Sequence, residues 1–146
     1  MRLQILTIGK PKLGYARAGV EEYVERLRGS GGVTITELKV GTQAQESAAL
    51  LERSEGMLRV VLDERGEQVA SREFAAKLSR WELNRVKGVA FLIGGANGHT
   101  EELRRRADWR WSLSKLTLQH ELALVVLLEQ LYRARSINAG APYHRD

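Results

Sequence analysis

The sequence predicts an α/β protein, with a largely parallel sheet covered by helices on both faces. Three observations predict it. Short apolar runs of strand character alternate with stretches of helical periodicity along the whole chain. Two of the runs, residues 58–62 and 89–93, are continuously apolar, as expected of central strands buried on both faces. No linker, internal repeat or low-complexity segment divides the 146 residues, so 1–146 reads as a single domain.

Residues 3–8 form the first expected strand, with Leu3, Ile5, Leu6 and Ile8 apolar and Gly9 ending the run. Pro11 and Gly14 mark a loop. Over residues 15–28, Val20, Tyr23, Val24 and Leu27 recur at helical spacing, opposite Glu21, Glu22, Glu25 and Arg26. Gly29, Ser30, Gly31 and Gly32 stop that helix. Residues 33–40 alternate as a second strand with one phase slip. A helix follows over residues 43–55, built on Ala44, Ala48 and Leu51. The third strand, 58–62, is expected to end in a polar turn of Asp63, Glu64, Arg65 and Gly66.

Ser71 is the expected N-cap of the next helix, with Glu73 in its first turn, where the helix dipole favours an anion. Phe74, Leu78 and Trp81 form its inner face. The fourth strand, 89–93, runs into Gly94, Gly95, Ala96, Asn97 and Gly98. Thr100 caps a short helix that holds Glu101 and Glu102 before Arg104, Arg105 and Arg106. A fifth strand covers 109–113. The last helix, 119–136, contains seven successive apolar residues from Leu122 to Leu128. A helix apolar all round must be covered on more than one side, which predicts a second subunit and hence a homodimer.

Composition narrows the function classes. The net charge of +5 and pI near 9.8 favour a polyanionic partner. Arg133, Arg135, His144 and Arg145 lie in a stretch without acids between Glu129 and Asp146. The absence of cysteine excludes a disulfide framework, a thiolate metal site and a cysteine nucleophile. Residues 1–5 have no signal-peptide core, and no apolar run approaches the ~18 residues that span a bilayer. A cytoplasmic protein with no membrane partner is expected. His99, His120 and His144 lack metal-ligand spacing, so no metal is expected.

In open α/β sheets ligands bind beyond the carboxyl ends of the strands. Three such ends are candidates: Leu62 with Asp63, Gly94 with Gly95, and the segment Leu113, Ser114, Lys115, Leu116, Thr117 and Leu118. The glycine segment stands in the context of a dinucleotide loop, but Ala96 occupies a position where that fingerprint needs glycine. It is either a tight turn needing positive φ or backbone that a ligand approaches closely. Ser112, Ser114, His120 and Asp108 do not form a hydrolase signature, because no G-x-S-x-G elbow is present. In the tail, Pro142 stiffens the chain and Tyr143 can stack on a base. His144 can exchange a proton near neutral pH, and Arg145 can pair with a phosphate. The alternative is a frayed chain end.

Four segments carry a resemblance: LQILTIGK at the start, LIGGANG after the fourth strand, WSLSKLTLQHELALVVLLEQLYRA, and the terminal PYHRD. In this order and spacing they span nearly the whole chain, which resembles the RlmH family of SPOUT methyltransferases. The resemblance implies a SPOUT-type fold with a C-terminal trefoil knot, a homodimer, and S-adenosylmethionine held in the knot. It implies methyl transfer to N3 of a pseudouridine in 23S ribosomal RNA, within the large subunit or whole ribosome. Leu62, Gly94 and Leu113, Ser114, Lys115, Leu116, Thr117 and Leu118 match its cofactor positions. Arg133, Tyr143, His144 and Arg145 match its substrate-side and catalytic positions, with His144 the first candidate for a general base. Lys115, Ala96, Leu124 and Arg135 depart from the family's common pattern. A non-catalytic RNA- or ribosome-binding protein of the same fold, or another nucleotide-using α/β enzyme, is the alternative.

Overall fold

A computed structural model describes residues 1–144. Its elements are β1 (Arg2–Ile8), α1 (Gly14–Leu27), β2 (Thr34–Leu38), α2 (Gln43–Arg53), β3 (Leu58–Glu67), α3 (Ser71–Leu83), β4 (Gly88–Leu92), α4 (Glu101–Arg105), β5 (Trp109–Trp111) and α5 (His120–Ala139). Short 3₁₀ turns follow α1 and α5. The five strands form one sheet in the order β2-β1-β4-β3-β5, and every neighbouring pair is parallel. The α/β class, the parallel sheet and the helices on both faces agree with the sequence.

Strand alternation divides the core into two layers, because successive side chains point to opposite faces. Leu3, Ile5, Val60, Val89, Phe91 and Ile93 pack with residues of α1, α3 and α5. Leu6, Ile8, Val61, Ala90 and Leu92 pack with Leu50 and Leu51 of α2 and Leu103 of α4. All five residues of β4 are buried, which explains its unbroken apolar run. Each fully buried aliphatic side chain contributes about 1.5–3 kcal/mol. Among the described residues no helix is long and apolar enough to cross a membrane.

Three expectations are corrected. The segment from Asp63 to Gly66 is not a terminal turn. It belongs to β3, which runs to Glu67, and both Leu62 and Glu67 pair with Trp111 across an irregularity. Gly66 permits this crossing: a Cβ there would lie 2.6 Å from the Arg110 carbonyl. Ser71 is the first residue of α3 rather than its cap. Its hydroxyl donates to Gln130 of α5 at 2.6 Å, while the Glu73 carboxylate accepts the Ala70 N–H at 2.7 Å. Finally, α5 runs three residues beyond the expected Ser136 and ends at Gly140, whose φ is +71°.

The apolar girth of α5 is met largely within the chain. α5 lies against the sheet between α1 and α3, and Leu124, Leu127, Leu128 and Leu131 are buried in the larger core. Leu124, which departs from the family's common pattern, is thus a packing residue. On the α1 side the approach is close: a Cβ on Gly19 would sit 3.0 Å from Val125. Leu122, Val125 and Val126 remain half-buried.

The β3–β5 crossing yields a stability test. Gly66→Ala places a methyl group against backbone that cannot yield like a side chain, and should cost about 1–3 kcal/mol. A thermal melt several degrees lower is the expected result; an unchanged melt would mean that β5 shifts freely.

Candidate functional site

The carboxyl ends of β3, β4 and β5 and the start of α5 enclose a cavity of about 470 Å³. Parallel pairing places these ends together, although their loops are far apart in sequence. Each wall has a local cause. At the end of β4, the Ile93 N–H still donates to the Leu6 carbonyl at 2.9 Å. The chain then turns, with Gly98 N–H donating to Gly95 at 3.1 Å and Gly98 itself at φ +71°.

Gly94 and Gly95 are crowded by the protein's own buried groups. A Cβ on Gly94 would lie 2.9 Å from the His99 ring, and one on Gly95 would lie 3.2 Å from the Glu46 carboxylate. The tight-turn alternative holds at Gly98, which takes positive φ, while Gly94 and Gly95 are closed in by the protein's own side chains.

His99 is 5% exposed and its Nε2 lies 3.1 Å from the Leu62 carbonyl. A carbonyl only accepts, so Nε2 carries the proton and donates, which leaves Nδ1 as a lone pair. That Nδ1 has no partner. Burial pushes the His99 pKa below its usual value, Arg104 adds to the effect, and the bond to Leu62 and the Asp63 charge oppose it. Burial would raise the Asp63 carboxyl, but the Arg65 N–H at 3.1 Å and the Arg104 guanidinium at 3.1 Å hold it below the usual carboxylate range. Glu46 is 2% exposed; one oxygen accepts the Gly41 N–H at 3.1 Å, and the other has no partner.

The segment leaving β5 is held by its own polar groups. The Ser112 hydroxyl donates to the Ser114 carbonyl at 2.8 Å, and the Leu116 N–H donates to the Ser114 hydroxyl at 2.9 Å. The Thr117 hydroxyl bonds the Glu64 carboxylate of β3. Gln119 then caps α5, its side-chain oxygen accepting from Glu121 and Leu122 at 2.9 and 3.1 Å. Leu62, Gly94, Leu113, Ser114, Leu116, Thr117 and Leu118 all line the cavity. Lys115 is exposed and lies outside its wall.

The other candidate residues lie elsewhere. Tyr143 donates its hydroxyl to Glu129 at 3.0 Å, lies 3.0 Å from the Tyr23 hydroxyl, and packs edge-on against Tyr132 at 4.6 Å. Burial pushes the Tyr143 phenol up, and its bonds to Tyr23 and Glu129 push it further. Arg133 pairs with Glu129 at 2.6 Å and lies 5.1 Å over the Tyr143 ring; the Glu129 bond raises its pKa. Along α5 from Ala123 at the cavity to Arg133 is 133 − 123 = 10 residues, or about 15 Å of helix. Both Tyr143 and Arg133 bond Glu129, six residues or about 9 Å beyond Ala123, and neither of them lines the cavity. Arg145 and the side chain of His144 lie outside the described residues.

Sequence reasoning missed His99 and Glu46. Neither has a motif signal, because each acts through loops that only the fold places beside it. It named Asp63 at a candidate strand end but missed its pairing with Arg104, since residues 63–66 read as a polar turn.

Three comparisons bear on this geometry. Residues 1–144 match the family model described as Predicted SPOUT methyltransferase. The chain is 49% identical over 145 residues to the ribosomal RNA large subunit methyltransferase H of Thermus thermophilus, covering 99% of each, and 46% identical to that of Deinococcus radiodurans with the same coverage. Among solved structures, a probable methylase family protein from Haemophilus influenzae superposes with a TM-score of 0.61 at 12% identity, over 94% of this chain and 68% of that one. The tRNA (m1G37) methyltransferase of Aquifex aeolicus does so with a TM-score of 0.54 at 12% identity, over 91% and 70%.

The buried imidazole makes stability pH-dependent. With its folded pKa depressed, His99 costs nothing above its ordinary value of about 6.5; as pH falls below that, the unfolded chain takes up a proton that the folded chain resists, and stability is lost. His99→Gln keeps a donor for Leu62 but does not titrate. Melts between pH 7.5 and 5.5 should fall less steeply for the variant than for wild type, and parallel curves would exclude His99 as the source.

Proposed function

The chain belongs to the SPOUT methyltransferase family, and from that premise we propose that it methylates large-subunit ribosomal RNA with S-adenosylmethionine as donor, at N3 of a pseudouridine in 23S RNA of the assembled ribosome. The observation that carries this reading is the full-length likeness to relatives named ribosomal RNA large subunit methyltransferase H. The cytoplasm is the compartment it requires.

The cavity fits the donor. Its volume of about 470 Å³ lies within the range of small-molecule sites, roughly 300–1,000 Å³. Leu62, Leu113 and Leu118 supply apolar walls, and the His99 and Glu46 side chains pack close to Gly94 and Gly95. Leu62, Gly94, Leu113, Ser114, Leu116, Thr117 and Leu118 would hold the cofactor, with Lys115 at the outer edge. When bound, S-adenosylmethionine supplies an electrophilic methyl group. The trefoil knot remains part of this reading, supported by the Thr117–Glu64 contact that lays the segment after β5 against β3.

Methylation at N3 requires the target base to be positioned and its N3 proton to leave. Orientation supplies the larger share of the rate. His144 is the proposed general base, a role worth about 10²–10⁴-fold. Arg133 and Arg145 steady phosphates and the charge developing on the base, and Tyr143 stacks on the target. Arg133 and Tyr143 gather on Glu129, about 9 Å along α5 from Ala123, and neither lines the cavity of its own chain. The reading therefore includes a homodimer in which one copy's tail serves its partner's cofactor site. The half-buried Leu122 and Val126 on α5 support such an interface.

Labelled S-adenosylmethionine with unmodified ribosomes, followed by mapping of the labelled base, tests the activity. RNA binding without cofactor binding would point instead to a non-catalytic ribosome-binding protein. His144→Ala should keep cofactor affinity in calorimetry and lose on the order of 10²-fold or more in methylation; unchanged turnover would end the general-base role. Gly94→Val should do the reverse, since even a Cβ there meets His99 at 2.9 Å. Normal cofactor affinity in that variant would remove Gly94 from the site.

A further inference from the structure

The carboxyl end of the sheet carries a second feature around the cavity. The loop between β1 and α1 folds over this end and is pinned at both sides. Gly9 N–H donates to the Leu38 carbonyl at 2.7 Å, and the N–H groups of Lys12 and Leu13 donate to one Glu121 oxygen at 2.7 and 2.9 Å. Glu121 is 7% exposed and sits in the first turn of α5. Its carboxylate is spent on the loop backbone, so the neighbouring lysine side chains keep their charge unpaired.

Lys10, Lys12, Lys39 and Lys115 are four of the six lysines in the chain, and all four lie on this end. Lys10 and Lys12 follow β1, Lys39 follows β2, and Lys115 follows β5. All are exposed, and none is in an ion pair among the described residues. The nearby acids are mostly committed: Glu121 to the loop, Glu64 to Thr117, and Asp63 to Arg65 and Arg104. Glu37 at the end of β2 is the exposed exception. Apolar groups gather here as well. Of the six exposed large apolar side chains among the described residues, Leu13, Tyr15, Val40 and Leu116 belong to this end.

We propose that this rim is the surface on which the RNA substrate docks, with the lysines on phosphates and Tyr15, Leu13, Val40 and Leu116 against unstacked bases. The proposal rests on the RNA-methyltransferase reading and adds the residues that hold the RNA beside the cavity. Exposed, unpaired lysines suit a polyanion, whereas lysine is depleted at protein–protein interfaces. An aromatic side chain between cations is the combination that grips single-stranded RNA. On a chain of net charge +5, these four unpaired lysines concentrate positive potential at one place.

The test uses the intact protein with Lys10→Glu and Lys12→Glu together, and separately Tyr15→Ala. Cofactor affinity is measured by calorimetry, oligomeric state by sedimentation, and binding to unmodified ribosomes across a salt series. For the double variant, unchanged cofactor affinity and oligomeric state are expected, with ribosome affinity down on the order of tenfold. Its dependence on salt should be shallower by about 0.7–0.9 in the log–log slope for each phosphate that the variant no longer neutralises. Tyr15→Ala should weaken binding with the slope unchanged. Wild-type affinity and slope in the double variant would overturn the proposal, as would a changed oligomeric state with RNA affinity intact, which assigns the rim to a second copy of the chain. If wild-type protein methylates ribosomes while the variants bind them normally, the rim alone fails. If wild-type protein binds cofactor but no ribosomes, the functional reading fails with it.

Discussion

The common direction of the five strands is the constraint on which this structure depends. Parallel pairing sends every carboxyl end to one edge of the sheet, so loops from residues 62, 94 and 113 meet although the sequence separates them by dozens of positions. It also forces each connection to cross a face of the sheet, which places α1, α3 and α5 on one side and α2 and α4 on the other. The cavity is a product of that geometry rather than of any single motif. The glycine segment lacks the fingerprint spacing, yet it forms a wall because β4 lies centrally, between β1 and β3.

Around the cavity, buried polar groups shape the backbone. His99 ties the end of β3 to the glycine turn through the Leu62 carbonyl, and Glu46 reaches the same turn from α2. Each leaves one polar atom without a partner, an arrangement that costs stability and that proteins keep where the local shape is worth more than the missing bond. Asp63 and Arg104 close the site on the β3–α4 side and screen His99 with a neutralised pair. Substituting glycine here is therefore a steric matter at Gly94 and Gly95, and a conformational one at Gly98.

α5 joins two functions at its two ends. Its first turn borders the cavity and, through Glu121, fixes the basic loop after β1. Its later turns hold Glu129, Tyr132 and Arg133 around Tyr143. Neither Tyr143 nor Arg133 lines the cavity of its own chain, and the proposed activity pairs the two groups across two copies. The flanking helices α1 and α3 satisfy much of the apolar surface that made α5 unusual in the sequence.

The sequence by itself determined the class and order of the elements. Period-2 and period-3.6 apolar spacing is a local property, and it marked all five strands and all five helices, though it stopped β3 five residues short of Glu67. Thr100 was legible as a cap for the same reason, since its hydroxyl bonds the Leu103 N–H only three residues on. Family motifs marked the cavity positions without any geometry. Tertiary structure alone decided what depends on residues distant in the chain: that β3 continues through Asp63 to Glu67 because Trp111 pairs with it twice, that Ser71 bonds Gln130 instead of capping its helix, and that Lys115 lies outside the cavity wall its neighbours form. No local pattern could report that His99 lies beneath Gly94, or that lysines 10, 12, 39 and 115 share one rim, because strand order brings these residues together and strand order is written in pairings, not in periodicity.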